Sequence, residues 1–515
     1  MKNQCLERQL TNPLSQPRKE RVLVSVTFAR AACIILLFCA VTINSRAQTF
    51  TKIGSFTGAN GTNPDSLVQG TDGNSYGLTT VGGSRTAGTF FRITPAGKLT
   101  VLYDFCAQSN CTDGAYPVGL TLGTDGNFYA IAQAGGTNCA SSGGCGTVFK
   151  ISASGALSTL ASFCSEANCA DGSQPSGGMV QASDGNFYGT TYLGGHNCKP
   201  NAPCGTIFRV TPTGKLTILY RFCSQSGCAD GGSPWGRLIQ ASDGNLYGTT
   251  FGGGSKGYGT VYRITLSGQL TTLYSFCSES HCTDGAYPLV VEGTDGNLYG
   301  ITFSGGVGTF GSNSGTIFKI TPTGTLTTLY RFCSQQGCSD GMNPGSLVQG
   351  TDGNFYGPTV YGGAKDISCV VGCGTVFEIT PTGTLTTLHT FNLTDGFGPG
   401  RLIQATDGAF YGTTTWGGSS TACQSGCGTV FSMSVGLAPF VEVLPASGKV
   451  GAKVKILENN LTGATSVTFN GTAAAFKAVS GTQITTTVPA GATAGTVEVT
   501  TPSGVLKSNV VFNIP

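Results

Sequence analysis

The chain is poor in charged side chains. Lys and Arg number 28 and Asp and Glu 25 among 515 residues, so only 10% of the chain is charged. Seven of the basic and two of the acidic residues precede residue 48, which leaves 21 basic and 23 acidic side chains in the remainder. Contact with a phosphate backbone requires clustered Lys and Arg. We therefore expect no nucleic-acid partner.

Histidine is rare as well. The three histidines, His196, His281 and His389, occupy different positions of the repeat described below, and none recurs beside an acid or a nucleophile. No glycine-rich loop stands between a strand and a helix, as a phosphate-binding loop requires. The sequence contains no recurring catalytic constellation, and we expect a non-catalytic protein.

Only one long apolar run is present, at residues 31–43, where it follows Arg30 and precedes Ser45, Arg46 and Ala47. A run of this length is too short to span a bilayer, and small residues suited to a cleavage site follow it. We expect residues 1–47 to be a signal peptide and the mature chain to have no transmembrane segment. We further expect a monomer that is secreted or held at the cell surface.

Glycine and repetition are abundant. The chain has 80 glycines and seven copies of one phrase, TDGNSY, TDGNFY, SDGNFY, SDGNLY, TDGNLY, TDGNFY and TDGAFY. A period near 55 residues indicates one supersecondary unit per copy, which buries its apolar face by stacking on its neighbours. The aspartates of the phrase are Asp72, Asp125, Asp184, Asp243, Asp295, Asp352 and Asp407.

Each unit contains four short runs of aromatic and β-branched residues bounded by turn residues. In the fourth unit they are RLIQ, NLYGTT, GTVYRIT and QLTTLYSF, and Asp243-Gly244 between the first two suits a tight hairpin. The segment FTKIGSF at residues 50–56 matches a fourth run, and the last unit stops after its third. The pattern predicts an all-β fold, a seven-bladed β-propeller over residues 48–436 closed by the N-terminal strand. A solenoid is the alternative, although its repeats are usually shorter.

The repeat resembles two known families. A Gly-Gly pair after every second run is similar to the kelch repeat, although the fourth-strand Trp of kelch blades is absent. Phrases such as LVQGTDGNFYG followed by GTVFEITPTGTLTTLHTF resemble the bacterial Gloeo/Verruco tandem repeat over residues 50–435. This resemblance implies an exported, repeat-built protein and supplies no catalytic residues.

Eighteen of the 21 cysteines follow residue 47, and all of them fall in close pairs. Thiolate metal sites and bonds between adjacent loops compete with disulfides inside each loop. We expect local disulfides, because an exported chain meets an oxidising setting and units lose whole pairs. The pairs are Cys106/Cys111, Cys164/Cys169, Cys223/Cys228, Cys277/Cys282 and Cys333/Cys338 after fourth runs, and Cys139/Cys145, Cys198/Cys204, Cys369/Cys373 and Cys423/Cys427 between second and third runs.

The long loops are expected on one face of the disc and the short turns on the other. The loop face is the candidate binding surface, since binding residues tend to lie on loops held by a rigid scaffold. Trp235 is a candidate for stacking on a sugar, and six loop aspartates suit Ca²⁺ or sugar hydroxyls. The same aspartates fit a second interpretation, in which each caps its own loop. They are Asp113, Asp171, Asp230, Asp284, Asp340 and Asp395. Apart from Ca²⁺, no cofactor is expected.

From residue 439 onward the repeat gives way to another pattern, with turn signals every 8 to 12 residues. Such spacing suits a small β-sandwich. The phrases PASGKVG, SVTFNG and VPAGATAGTVEV resemble an IPT/TIG domain. That resemblance implies an immunoglobulin-like fold that serves as a spacer or interaction module.

These features favour an exported binding or scaffold protein whose ligands are glycans or other envelope polymers. One alternative is an extracellular carbohydrate-active hydrolase or lyase, which requires paired carboxylates at the axial mouth of the propeller. Another is a purely structural repeat protein without a ligand.

Overall fold

Nearly all regular structure is β. The computed structural model describes residues 48–139, 145–195, 204–306, 314–365 and 369–514. The predicted signal peptide, His196 and Cys198 lie outside these ranges. Among the described residues, no helix is long and apolar enough to cross a membrane. The helices are single 3-10 turns in the loops after fourth strands: Ser109–Cys111, Ala167–Cys169, Ser226–Cys228, Ser280–Cys282 and Gln336–Cys338.

The repeats form antiparallel sheets in which consecutive strands are neighbours. After the N-terminal strand β1 (Thr49–Ser55), the first three sheets contain β2 (Thr62–Gln69), β3 (Ser75–Val81), β4 (Thr89–Ile93) and β5 (Leu99–Asp104); β6 (Ala115–Leu122), β7 (Phe128–Ala134), β8 (Thr147–Ile151) and β9 (Leu157–Ser162); and β10 (Ser173–Gln181), β11 (Phe187–Leu193), β12 (Thr206–Val210) and β13 (Leu216–Arg221).

Four further sheets follow along the chain, and in two of them the first strand is interrupted. They contain β14 (Gly232–Pro234), β15 (Ile239–Gln240), β16 (Leu246–Gly252), β17 (Thr260–Ile264) and β18 (Leu270–Ser275); β19 (Ala286–Glu292), β20 (Leu298–Ser304), β21 (Thr316–Ile320) and β22 (Leu326–Arg331); β23 (Met342–Pro344), β24 (Val348–Gln349), β25 (Phe355–Tyr361), β26 (Thr375–Ile379) and β27 (Leu385–Thr390); and β28 (Phe397–Gln404), β29 (Phe410–Trp416) and β30 (Thr429–Ser434).

The N-terminal strand completes the seventh sheet, as the sequence predicts. Strand β1 pairs antiparallel with β30, with Thr49 opposite Ser434 and Ser55 opposite Thr429. Each sheet packs on the next, and β2 of the first sheet contacts β28 and β29 of the last. The sheets therefore form a propeller-like series whose two ends meet.

Aromatic rings fill the space between neighbouring sheets. The tyrosine that follows the DGN turn is buried in the first six repeats, as expected. In four of these repeats it packs on a phenylalanine of the next sheet. Tyr129 stacks on Phe187 with ring centroids 3.9 Å apart, and Tyr299 stacks on Phe355 at 4.2 Å. Offset aromatic stacking adds to the hydrophobic gain of burying these rings. The repeat thus supplies its own intersheet packing.

Side-chain amides also link neighbouring sheets at the short-turn end of the first strands. Gln181 Oε1 accepts a hydrogen bond from Thr124 N at 2.8 Å, and Gln349 Oε1 accepts one from Thr294 N at 2.8 Å. The equivalent position is Gln in five repeats and Glu292 in the fifth, whereas the second repeat has Leu122. These bonds satisfy backbone donors that the turns leave unpaired.

The C-terminal segment forms two further sheets, with strand orders β31-β32-β36-β35 and β34-β33-β37-β38. Their facing sides enclose a core that includes Val441, Ile456, Val467, Val499 and Phe512. The strands are β31 (Glu442–Leu444), β32 (Lys453–Leu457), β33 (Ser466–Phe469), β34 (Thr472–Ala473), β35 (Phe476–Ser480), β36 (Gln483–Thr487), β37 (Val497–Thr501) and β38 (Gly504–Lys507).

This C-terminal domain is docked on the short-turn face of the repeats. Thr482 Oγ1 donates to Thr71 O at 2.7 Å, and Phe440 N donates to Thr406 O at 2.9 Å. Leu457 is buried in the same apolar cluster as Tyr76. The long-loop face is therefore left as the accessible face of the repeats.

Candidate functional site

Disulfides stiffen the loop face. The bonded pairs are Cys106–Cys111, Cys139–Cys145, Cys164–Cys169, Cys223–Cys228, Cys277–Cys282, Cys333–Cys338, Cys369–Cys373 and Cys423–Cys427. Cys204 is also disulfide-bonded. Gly136 N donates to Cys111 O at 3.0 Å, which brings the two kinds of loop together. Both kinds of cysteine loop thus lie on one face, as the strand order predicts.

The loop aspartates are built into these disulfide loops. In Asp230, Oδ2 accepts hydrogen bonds from Ser224 N at 3.0 Å and Tyr220 Oη at 2.8 Å, and Oδ1 accepts one from Gln225 N at 3.3 Å. Five of the six predicted aspartates are fully or almost fully buried: Asp113, Asp171, Asp230, Asp284 and Asp340. Their geometry matches the loop-capping interpretation. Ligand binding by these carboxylates stays a prediction.

In the seventh repeat, a histidine takes the place of the tyrosine that contacts the loop aspartate. His389 occupies the position of Tyr220 and approaches Asp395 with its Nε2 3.1 Å from Oδ2. The imidazole ring stacks on Phe50 of the N-terminal strand, with ring centroids 3.7 Å apart. The contacts of His389 with Asp395 and Phe50 therefore join the last loop to the N-terminal strand. Within the described residues, no group of three His, Cys, Asp or Glu side chains is arranged to hold a metal ion.

The aspartates of the DGN turns are likewise satisfied locally. Asp243 accepts hydrogen bonds from Asn245 N at 3.0 Å and from Tyr247 Oη at 2.9 Å. Burial, followed by the hydrogen bond to Asp243, raises the pKa of Tyr247 to about 12. The hydroxyl is thus a permanent donor that fixes the turn to its strand.

Trp235 lies within an exposed group of aromatic side chains. We define Tyr192, Trp235, Phe251, Tyr258 and Tyr287 as the aromatic arc. Trp235 is 51% exposed, and its ring meets Tyr192 edge-on at 5.6 Å. Phe251 stacks on Tyr287 with centroids 4.0 Å apart, and the rings are tilted by only 7°. The predicted Trp is therefore one member of a continuous aromatic surface that spans three sheets.

Comparison between the repeats identifies two members of the arc, Tyr192 and Phe251, that we did not single out from the sequence. The sixth residue of the second strand is aromatic in three consecutive repeats and not in the other four: Thr80, Gln133, Tyr192, Phe251, Phe303, Val360 and Thr415. Their departure from the repeat was the available signal, since a packing residue is needed equally in every unit.

The first strands surround a cavity of about 1270 Å³. Trp235 lines it with Gln133 and Thr415, which lie at the loop-side ends of second strands. Arg237, Arg401 and Asp65 line its middle part. Arg237 Nη2 donates to Thr121 Oγ1 at 2.7 Å, so this side chain joins the fourth sheet to the second across the cavity.

Residues of the C-terminal domain line the same cavity at its other end. They include Glu442, Leu444 and Asn513. Burial raises the pKa of Glu442 from its ordinary value of 4.5 to about 7. Burial and then the Arg401 charge lower the pKa of Arg237 to about 9, so the guanidinium is still cationic at neutral pH. The cavity thus joins repeat residues to a titrating carboxyl from the second domain.

Comparison with solved structures supports the fold only. A fungal alcohol oxidase of the AA5 family, solved in complex with copper, is 14% identical with a TM-score of 0.50, and the match covers 92% of this chain and all of that one. A luciferin-regenerating enzyme is 12% identical with a TM-score of 0.39, and the match covers 76% of this chain and 98% of that one. Identity this low carries no activity across.

Sequence comparison is more specific. No curated protein matches the chain. The Gloeobacter/Verrucomicrobia repeat matches residues 39–199, 140–366 and 334–494, so the matched segments together span most of the sequence. The DGN phrase, the paired glycines and the propeller-like series of sheets all lie within them. The chain therefore belongs to the Gloeobacter/Verrucomicrobia repeat family.

Proposed function

We propose that this is an exported, non-catalytic binding protein for glycans or related cell-envelope polymers. Its architecture is a seven-bladed, kelch-like propeller closed by the N-terminal strand, with an immunoglobulin-like domain of the IPT/TIG kind. Seven sheets in series and the pairing of β1 with β30 support the propeller. The disulfide-bonded loops support an oxidising, extracellular location.

The aromatic arc is the observation that carries this proposal. Trp235, Phe251 and Tyr258 are 51%, 38% and 40% exposed, although aromatic rings are ordinarily buried. Contiguous exposed apolar surface marks an interaction site. A ring face edged with hydroxyl groups suits the apolar face and polar rim of a sugar. Glycans are therefore the ligand class that this surface fits best.

The arc also has the rigidity that weak, stacking-based binding requires. Tyr287 has a left-handed φ of 63°, and its N–H donates to Tyr258 O at 3.0 Å. The disulfide loop of Cys277 and Cys282 immediately precedes it. An ordered binding surface loses little conformational entropy when the ligand binds. The loop disulfides thus support the arc.

Binding of residues 48–515 to an array of polysaccharides and envelope components tests the proposal. Trp235→Ala is expected to weaken binding at least tenfold, because loss of an aromatic anchor costs on the order of 2 kcal/mol. Trp416→Ala is the matched control, since Trp416 lies at the loop side of the seventh sheet and packs on Phe397 at 5.1 Å. Failure to bind any array member, or equal loss in both variants, contradicts the proposal.

Glu442 supports one alternative, a carbohydrate-active hydrolase or lyase. A carboxyl with a pKa of about 7 suits a general acid, and Asp65 lines the same cavity. Reducing sugar released in the array wells distinguishes the two functions. Turnover that disappears in Glu442→Gln establishes the enzyme, whereas binding without product supports the binding protein.

A further inference from the structure

Two arginines in the cavity depart from the repeat. Arg237 and Arg401 lie six residues before the aspartate of their DGN turns, where the other repeats have uncharged residues: Ser66, Gly119, Gly178, Leu289 and Ser346. Stacking of the repeats does not require a cation at this position, because five units pack without one. We therefore expect the two arginines to have a role other than packing of the repeats.

Neither arginine forms an ion pair with another residue that the structure describes. Within the described part of the chain, no carboxylate lies within 4.0 Å of either guanidinium. Their only hydrogen bond to a described protein group is the one from Arg237 to Thr121. A guanidinium shielded from bulk water ordinarily has a paired carboxylate, because removal of a charge from water is costly.

The carboxylates that line the cavity do not balance the two positive charges of Arg237 and Arg401. The negative charge of Asp65 raises the pKa of both guanidinium groups, but its Oδ2 also accepts a hydrogen bond from Gly119 N at 2.8 Å. Asp243 and Glu292 line the cavity at the short-turn end and accept hydrogen bonds within the turns. Glu442 enters from the C-terminal domain. Two cations thus share one carboxylate in the middle of the cavity.

Arg237 also lies next to the aromatic arc. Arg237 is two residues from Trp235, so their Cα atoms lie at most roughly 7 Å apart. Both side chains line the same cavity. A sugar ring on Trp235 therefore has a cationic group within reach of its substituents. The planar guanidinium matches a carboxylate with two parallel hydrogen bonds.

We infer that Arg237 and Arg401 form an anion site that receives the acidic group of a charged sugar whose ring lies on the aromatic arc. The inference rests on the proposed function and narrows its ligand class to acidic glycans. A uronic-acid carboxylate and a sugar sulfate ester share the required chemistry.

The test compares three probes that differ in charge: oligogalacturonate, its methyl ester and a sulfated galactan. Residues 48–515 are titrated with each probe in wild-type, Arg401→Gln and Lys365→Gln forms. Lys365 is an exposed cation in a loop of the sixth repeat, so its variant is matched in charge. We expect Arg401→Gln to weaken binding of oligogalacturonate, the sulfated galactan or both at least tenfold. Binding of the methyl ester should be unchanged, and Lys365→Gln should behave as wild type.

Arg401→Gln is the decisive variant because Arg401 donates no hydrogen bond to any group in the described ranges of the chain. Arg237→Gln, which loses the bond to Thr121, is interpreted only after its thermal midpoint has been compared with wild type. Equal binding of acid and ester, or no effect of Arg401→Gln, shows that the arginines are merely hydrated and overturns the inference while the proposed function stands. Binding of no probe overturns both. Loss of acid binding but not sulfate binding, or the reverse, identifies the anionic group.

Discussion

Gln69 and Thr406 are 337 residues apart in sequence and are joined by two hydrogen bonds. Thr406 N donates to Gln69 Oε1 at 3.0 Å, and Gln69 Nε2 donates to Thr406 Oγ1 at 2.9 Å. The same Nε2 lies 2.9 Å from Asn459 Oδ1 of the C-terminal domain. One buried amide thus connects the first repeat, the last repeat and the second domain.

The first prediction concerns this connection. Gln69→Leu introduces the residue that the second repeat has at this position, Leu122. It should lower the free energy of unfolding by roughly 2–4 kcal/mol, because the buried Thr406 and also Asn459 of the second domain lose hydrogen bonds to the buried amide. Gln404→Leu is the control, since Gln404 contacts Thr351 at the surface with N–O distances of 3.1 and 3.3 Å. Urea unfolding of both variants measures the difference, and equal losses would contradict a special role for Gln69.

The second prediction concerns the loop aspartates. Asp230→Ala removes a buried carboxylate that accepts hydrogen bonds from Ser224 N, Gln225 N and Tyr220 Oη, so it should destabilise the protein by about 2–4 kcal/mol. Asp230→Asn keeps one acceptor oxygen and should cost less. Thermal unfolding with and without Ca²⁺ checks both points. A midpoint that rises with Ca²⁺ in wild type and not in Asp230→Ala would instead support the cation interpretation.

The repeat and the site differed in how far the sequence could predict them. Regular features, such as the strands, the β1 pairing and the disulfide loops, follow from residues that recur in all or most units. Arg237 and Arg401 stood inside runs that were interpreted as strands, so their convergence in one cavity was missed. Glu442 reaches the cavity only because the C-terminal domain docks beside it. The sequence of that domain contains no pattern that predicts which surface of the repeats it contacts. Residues that break a repeat are therefore the ones to examine for function.

The third prediction concerns the loop before Trp235. The double variant Cys223→Ser/Cys228→Ser opens a small ring and should cost about 2 kcal/mol of stability by the loop-entropy estimate. It should also weaken glycan binding, because this loop leads directly into the strand that ends before Trp235. Cys106→Ser/Cys111→Ser opens a ring of the same size two sheets away. Equal stability losses with unequal binding losses are expected, and equal binding would show that the arc does not depend on its disulfide.

The fourth prediction concerns pH. Burial raises the pKa of Glu442 from 4.5 to about 7, so between these values the folded protein holds a proton that the unfolded chain has released. Stability should therefore fall as pH rises from about 4.5 to 7, by at most roughly 3 kcal/mol, and less where water in the cavity solvates the carboxylate. Glu442→Gln removes the titrating group and keeps its shape. The difference in thermal midpoint between this variant and wild type should grow in favour of the variant across this window and level off above it. A difference that is constant from pH 4 to 8 would mean that the carboxyl is well hydrated, and the C-terminal domain would then leave the cavity open to water at this end.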